Sequence, residues 1–124
     1  MVVIGPSAGG ILQRAMQLPE EIRPQVWVLS ELPLALVPPP PELLESINRS
    51  GRLFVVEEHV VQGSVGQMLA HSLMAQGICP RTFRHFHAEG YPSGLYGSQG
   101  FHRKENGLDA DSVLAEVSRC LATP

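Results

Sequence analysis

Apolar positions along this chain fall into two rhythms that take turns. Four short strand-like runs stand at Val2 to Gly5, Val26 to Leu29, Leu53 to Val56 and Thr82 to His87. Short apolar runs bounded by polar residues predict strands covered on both faces, as in parallel sheets. Between them the apolar residues recur every three or four positions, which predicts helices. Ile11, Leu12, Ala15 and Met16 share one such face, with Ser7 as the expected N-cap and Leu18-Pro19 as the stop. A proline-rich connection from Leu32 to Pro41 precedes a helix faced by Leu43, Leu44 and Ile47. Pro41 suits its first turn and Gly51 its C-terminal cap. The next helix, Ser64 to Gln76, turns Val65, Met68, Leu69 and Leu73 inward, and Gly77 stops it. The last opens at Asp109, with Leu108 and Val113 as a hydrophobic staple, and is faced by Val113, Leu114, Val117 and Leu121.

Strands alternating with helices build βαβ units, and right-handed crossovers fold these into a layered sandwich. The expectation is α/β: a three-layer α/β/α sandwich over residues 1–124, mainly parallel, with strands in the spatial order second, first, third, fourth. Gly90 to Gly100 holds too much glycine for regular structure and reads as a loop that runs on through Lys104. Met1-Val-Val-Ile enters a strand directly, without the basic flank and apolar core of a signal peptide. The expectation is a fragment or a subunit whose upstream strand lies elsewhere.

Composition narrows the function classes. A net charge of −3 and the lack of a basic patch argue against nucleic acid. No apolar stretch approaches the roughly 20 residues of a membrane span. Cys79 and Cys120 lack a C-x-x-C spacing and read as reduced, mostly buried thiols of a cytoplasmic protein.

Candidate chemistry gathers where the third strand ends. Glu57, Glu58 and His59 admit two readings: an acid–base cluster, or a solvated strand end that packs on a neighbouring domain. The loop from Glu58 to Gly66, with Val60, Val61 and Gly63, reads as a domain or subunit interface or as an anion site at a helix start. Gly5-Pro-Ser-Ala-Gly-Gly10 and Gly63-Ser-Val-Gly66 match neither the dinucleotide fingerprint nor the P-loop, which favours tight packing turns. His85 and His87 share a strand face, but a spacing of two defines no metal site with His59. His102, Arg103 and Lys104 can reach a sugar phosphate or simply edge a surface loop.

Several segments together resemble the C-terminal domain of transketolase-like, thiamine-diphosphate-dependent enzymes. They are Gly51-Arg-Leu-Phe-Val-Val-Glu-Glu-His59, the helix opening Gly63-Ser-Val-Gly66, and Tyr96-Gly-Ser-Gln99 with Asn106-Gly-Leu-Asp109. The resemblance runs in order through nearly the whole chain and includes Val2-Val-Ile-Gly5. It implies a partner subunit or domains that bind thiamine diphosphate and Mg, a homodimer or heterotetramer of the parent, and ketol transfer on sugar phosphates. The diphosphate and metal motif and the catalytic glutamate of that family belong to other domains. This chain is thus expected to assemble and shape an enzyme and to be inert alone. The rival readings are a stand-alone flavodoxin-like module for a small anion, and a small enzyme using Glu57, Glu58 and His59.

Overall fold

The computed structural model describes residues 1–32 and 38–122, so part of the proline-rich connection lies outside the described residues. The elements are β1 (Val2–Ile4), α1 (Ala8–Ala15), a 3₁₀ turn (Glu20–Ile22), β2 (Trp27–Leu29), α2 (Pro41–Ser50), β3 (Arg52–Val60), α3 (Val65–Ala75), β4 (Thr82–Ala88), α4 (Gln99–Glu105) and α5 (Ala110–Ala122). All strand pairs are parallel, in the order β2-β1-β3-β4. The expected order is therefore the observed one.

Pleating explains the layers. Val3, Phe54 and Val56 face α1 and α5, where Ile11, Ala15, Val113, Leu114 and Val117 meet them. Val2, Leu53 and Val55 face the other way, onto Leu43 and Ile47 of α2 and Leu69 and Leu73 of α3. Each such side chain removed from water contributes roughly 1.5–3 kcal/mol. The chain steps from β1 to β2 in one direction and from β2 through β3 to β4 in the other, and the covering helix changes face at that reversal. The crossovers thus share one hand. In such sheets, ligands collect outside the carboxyl ends of the strands at this reversal point, here between β1 and β3.

Helix ends follow local chemistry. Pro41 occupies the first turn of α2, and Gly51 closes it in the left-handed region at φ 66°. Asp109 caps α5 by accepting the Ser112 N–H at 3.1 Å.

Several expectations require correction. β3 continues through Val60, so Glu58 to Val60 belong to a strand and only residues 61–64 form the turn. Pairing of Val60 with Ala88 beyond an irregularity after Val56 keeps the strand going. His102, Arg103 and Lys104 lie on a helix, α4, because Ser98 caps it by accepting the Phe101 N–H at 3.2 Å. Ser7 does not cap α1: its own dihedrals are helical and its hydroxyl makes no hydrogen bond. Leu12, Met16 and Met68 are exposed, since the apolar faces of α1 and α3 are wider than the sheet they cover. Both cysteines are free, but Cys79 is exposed and Cys120 half-buried.

Candidate functional site

Alternation along β3 sends Glu57 and Glu58 to opposite faces of the sheet, which rules out a joint acid–base cluster. Glu57 is only 2% exposed and sits under the first turn of α3. Its carboxylate accepts the Val65 N–H at 3.1 Å and the Gly66 N–H at 2.7 Å. His85 of β4 approaches the same carboxylate through Nε2 at 2.7 Å. An ionised carboxylate only accepts, so Nε2 is the protonated nitrogen. A negative charge placed on a helix N-terminus is favourable, and here it satisfies two amides that would otherwise be orphaned. Glu57 is thus a built-in anion, not the solvated strand end that the sequence allowed.

Gly66 has a steric reason. A Cβ there would overlap the His85 ring at Nε2, Cδ2 and Cε1. Ser64 caps the same helix by accepting the Gln67 N–H at 3.2 Å, and Gln67 accepts the Gly63 N–H at 2.9 Å. Gly63 turns the chain at φ 71°. The start of α3 is therefore closed on every side. At the start of α1, by contrast, a Cβ on Gly9 or Gly10 would meet nothing within 4 Å, and nothing in the structure explains those glycines.

On the other face, Glu58 fastens α4 to the sheet. Arg103 donates through Nη2 to its Oε1 at 2.6 Å, and Gln99 donates to Oε2 at 2.8 Å. Burial pushes the Glu58 carboxyl up, but the hydrogen bonds from Arg103 and Gln99 and the Arg103 charge outweigh it and hold the group below its ordinary value. His59 is exposed, with Nδ1 donating to the Val60 carbonyl at 2.9 Å. Lys104 is exposed, while His102 is half-buried with its ring edge-on to Tyr91, centroids 5.2 Å apart.

Between β3, β4 and α4 lies an open cleft of about 320 Å³, lined among others by Glu58, Val60, Tyr91, Gln99, His102 and Arg103. The segment before α4 is tied to it side chain by side chain. Asn106 accepts the Glu89 N–H at 2.7 Å and Glu105 accepts the Ser93 N–H at 2.9 Å. Among the described residues no three His, Cys, Asp or Glu converge as metal ligands would. His85 and His87 are neighbours, ring centroids 4.9 Å apart, but His85 points its Nε2 at Glu57.

Sequence reasoning therefore found the carboxyl edge of β3 but missed the partners there. The signal for His85 was available: it pairs with Val55 across β3 and β4, so Glu57 stands on the same face two residues along. The Glu58–Arg103 tie gave no signal, because it depends on α4 existing.

A parallel sheet of this order between two helical layers, with its charged groups on the carboxyl edge, is a doubly wound α/β domain. Comparison with solved structures narrows that class. A split-gene transketolase in an inactive beta4 tetramer superposes with a TM-score of 0.70 and 26% identity over 97% of this chain. The chain has the fold of a transketolase C-terminal-like domain. It spans 38% of the length of that solved chain. No protein-family model and no curated protein matches it. Among the described residues no helix is long and apolar enough to cross a membrane.

Proposed function

We propose that this chain is the C-terminal assembly domain of a cytoplasmic, thiamine-diphosphate-dependent enzyme that transfers ketol units between sugar phosphates, and that it is inert alone. The observation that carries this reading is the likeness to a split-gene transketolase over 97% of the chain, combined with a span of only 38% of that protein. What lies in the remaining length is where we assign the cofactor and Mg. The described residues do not fit that group: Glu57 already occupies the anion-attracting start of α3, and no three metal-ligating side chains converge. No catalytic step is therefore routed through this chain.

Partner contact falls on the exposed part of the carboxyl edge, His59, Val60 and Gly63, with Val61 half-buried beside them. Glu57 and Gly66 are buried and serve by fixing the start of α3. His102, Arg103 and Lys104 sit on α4, and Arg103 is engaged by Glu58, which leaves Lys104 the freest to meet a phosphate. The rival small-anion module would use the cleft between β1 and β3, and it loses support on the α3 side, where Glu57 already accepts the Val65 and Gly66 N–H groups. A homodimeric or heterotetrameric parent accords with the tetramer formed by the solved relative's subunits.

The test is co-expression with a subunit that binds thiamine diphosphate, followed by a ketol-transfer assay. Activity should need both chains. Ketol transfer by the partner alone, undiminished without this chain, rejects the proposal, as does saturable micromolar binding of thiamine diphosphate to this chain by itself.

A further inference from the structure

α1 opens at the carboxyl end of β1, beside the reversal point between β1 and β3 where ligands collect in sheets of this kind. Its start differs from that of α3. Gly9 and Gly10 lie in its first turn, both exposed, and neither N–H donates to an acceptor among the described residues. Orphan amides at a helix start are commonly met by a capping side chain, and the Ser7 hydroxyl, in the place to do so, bonds neither. Ser7 is only 7% exposed, and its Oγ has no hydrogen-bond partner among the described residues. A buried hydroxyl left unpaired is unfavourable and calls for an explanation. Two exposed donors and one buried one thus share the first turn of α1 without an acceptor.

We infer that the start of α1 is an oxyanion site that takes the phosphate group of a small ligand. The Gly9 and Gly10 N–H groups and the Ser7 O–H supply three donors, and the positive end of the helix dipole favours the charge. Rotation about the single Cα–Cβ bond is all the hydroxyl needs to join the amides. The glycines carry the argument further. Glycine is the poorest helix former after proline, and neither Gly9 nor Gly10 has the positive φ that would require it. Packing does not require it either, since a Cβ at each position would meet nothing within 4 Å. Every Cα–Cβ bond of an α-helix tilts toward the N-terminus, so side chains here would crowd the space before the first turn. Two glycines keep that space clear for a ligand that approaches the backbone closely.

Electrostatics separates the two helix starts. At α3, Glu57 accepts the Val65 and Gly66 N–H groups, so an incoming anion meets closed amides and a like charge. At α1, no carboxylate of the described residues accepts from Gly9 or Gly10. The acidic groups that border Gly10 in the groove to α5 are engaged elsewhere: Asp109 caps α5, and Asp111 pairs with Arg14. Phosphate fits better than carboxylate, because it brings three strong acceptor oxygens to three donors. The site goes beyond ketol transfer and needs no partner subunit.

Titration of this chain with inorganic phosphate, followed by amide NMR at an ionic strength held constant with chloride, decides the matter. The signals of Gly9 and Gly10 should shift saturably in the millimolar range, while those of Val65 and Gly66 stay in place. Ser7→Ala should raise the dissociation constant ~10-fold or more, as for one lost hydrogen bond to a charged group, and leave the fold intact. The double variant Gly9→Ala, Gly10→Ala should raise the thermal midpoint through better helix propensity and still abolish the saturable shift at the start of α1. A mere packing turn would not couple gained stability to lost phosphate binding. Glycerol phosphate tells the source apart, and both orders support the site: tighter binding than inorganic phosphate assigns it to a phosphate ester, equal binding to free phosphate. Shifts that never saturate, shifts as large at Val65 and Gly66, or a dissociation constant indifferent to both variants overturn the inference. The outcome is separable from the proposed enzyme: phosphate binding by a chain that activates no partner removes the enzyme alone, and activation without a phosphate shift removes the site alone.

Discussion

His85 Nε2 donates to the Glu57 carboxylate at 2.7 Å from directly beneath Gly66, so the ring occupies the space that any larger residue at position 66 needs. One imidazole thus both donates to the buried carboxylate of β3 and restricts the side chain allowed on α3. Gly66→Ala should accordingly destabilise the fold by about 1–3 kcal/mol through overpacking, although alanine is the better helix former by about 1 kcal/mol. In a double-mutant cycle with His85→Ala the two costs should fail to add, since removing the ring removes the clash. Additive urea midpoints would show that the ring and the glycine do not communicate.

Removing the carboxylate should cost more than removing the imidazole. Glu57→Leu leaves the Val65 and Gly66 amides and His85 without a buried acceptor, a penalty of about 1–3 kcal/mol for each unsatisfied group. His85→Ala leaves the two amides paired. Native-state hydrogen exchange should therefore accelerate at Val65 and Gly66 in the first variant far more than in the second. Equal exchange in both variants would mean that Glu57 does not hold the helix start.

The two variants also mark what was legible in the chain and what was not. Strand identity and order were readable because apolar runs such as Leu53 to Val56 leave little choice of element, and one hand of crossover leaves little choice of order. The bounds of β3 were not readable. Glu57, Glu58 and His59 look like a strand's polar end, and only pairing with β4 and the donors from α3 and α4 carry the strand through them. α4 was hidden for a similar reason: glycines at 97 and 100 mask a helix whose cap, Ser98, and anchor, Arg103–Glu58, are local and long-range in turn. Ser7 misled in the other direction, with a good capping residue in the expected place and its hydroxyl turned elsewhere.

That last difference is measurable. Ser64→Ala should cost about 1 kcal/mol, because the Ser64 hydroxyl accepts the Gln67 N–H. Ser7→Ala should cost nothing or stabilise slightly, because a buried hydroxyl without a partner is already unfavourable. Urea unfolding with unchanged m-values separates the two. A loss at Ser7 as large as that at Ser64 would place its hydroxyl in a hydrogen bond after all.

Glu58 sets an acid limit. Its carboxyl is held below its ordinary value of 4.5 in the folded chain, despite burial that raises it, by the Arg103 and Gln99 hydrogen bonds and the Arg103 charge. A folded-state value below the unfolded one means stability that is fully present above the unfolded value and lost as pH falls through the folded one. Arg103→Gln should thus destabilise at neutral pH, and the gap to the unaltered chain should close as the pH drops below about 4.5. A gap independent of pH would assign Arg103 a packing role only.

Val60 carries the sharpest test of assembly. It ends β3 with 42% of its surface exposed and pairs with Ala88 through its backbone, which a serine preserves. Val60→Ser should therefore change the stability of the isolated chain within about 0.5 kcal/mol. Val61 is half-buried, so Val61→Ser should cost somewhat more, and the single variants need to be measured apart. If the carboxyl edge meets a subunit that binds thiamine diphosphate, Val60→Ser loses apolar contact there while the fold stays intact. Association measured by ultracentrifugation should weaken, and ketol transfer at limiting subunit concentration should fall in proportion and recover when the chain is supplied in excess. Recovery by mass action distinguishes a binding defect from a folding one. Unaltered association and activity in both valine variants would move the partner surface away from the end of β3.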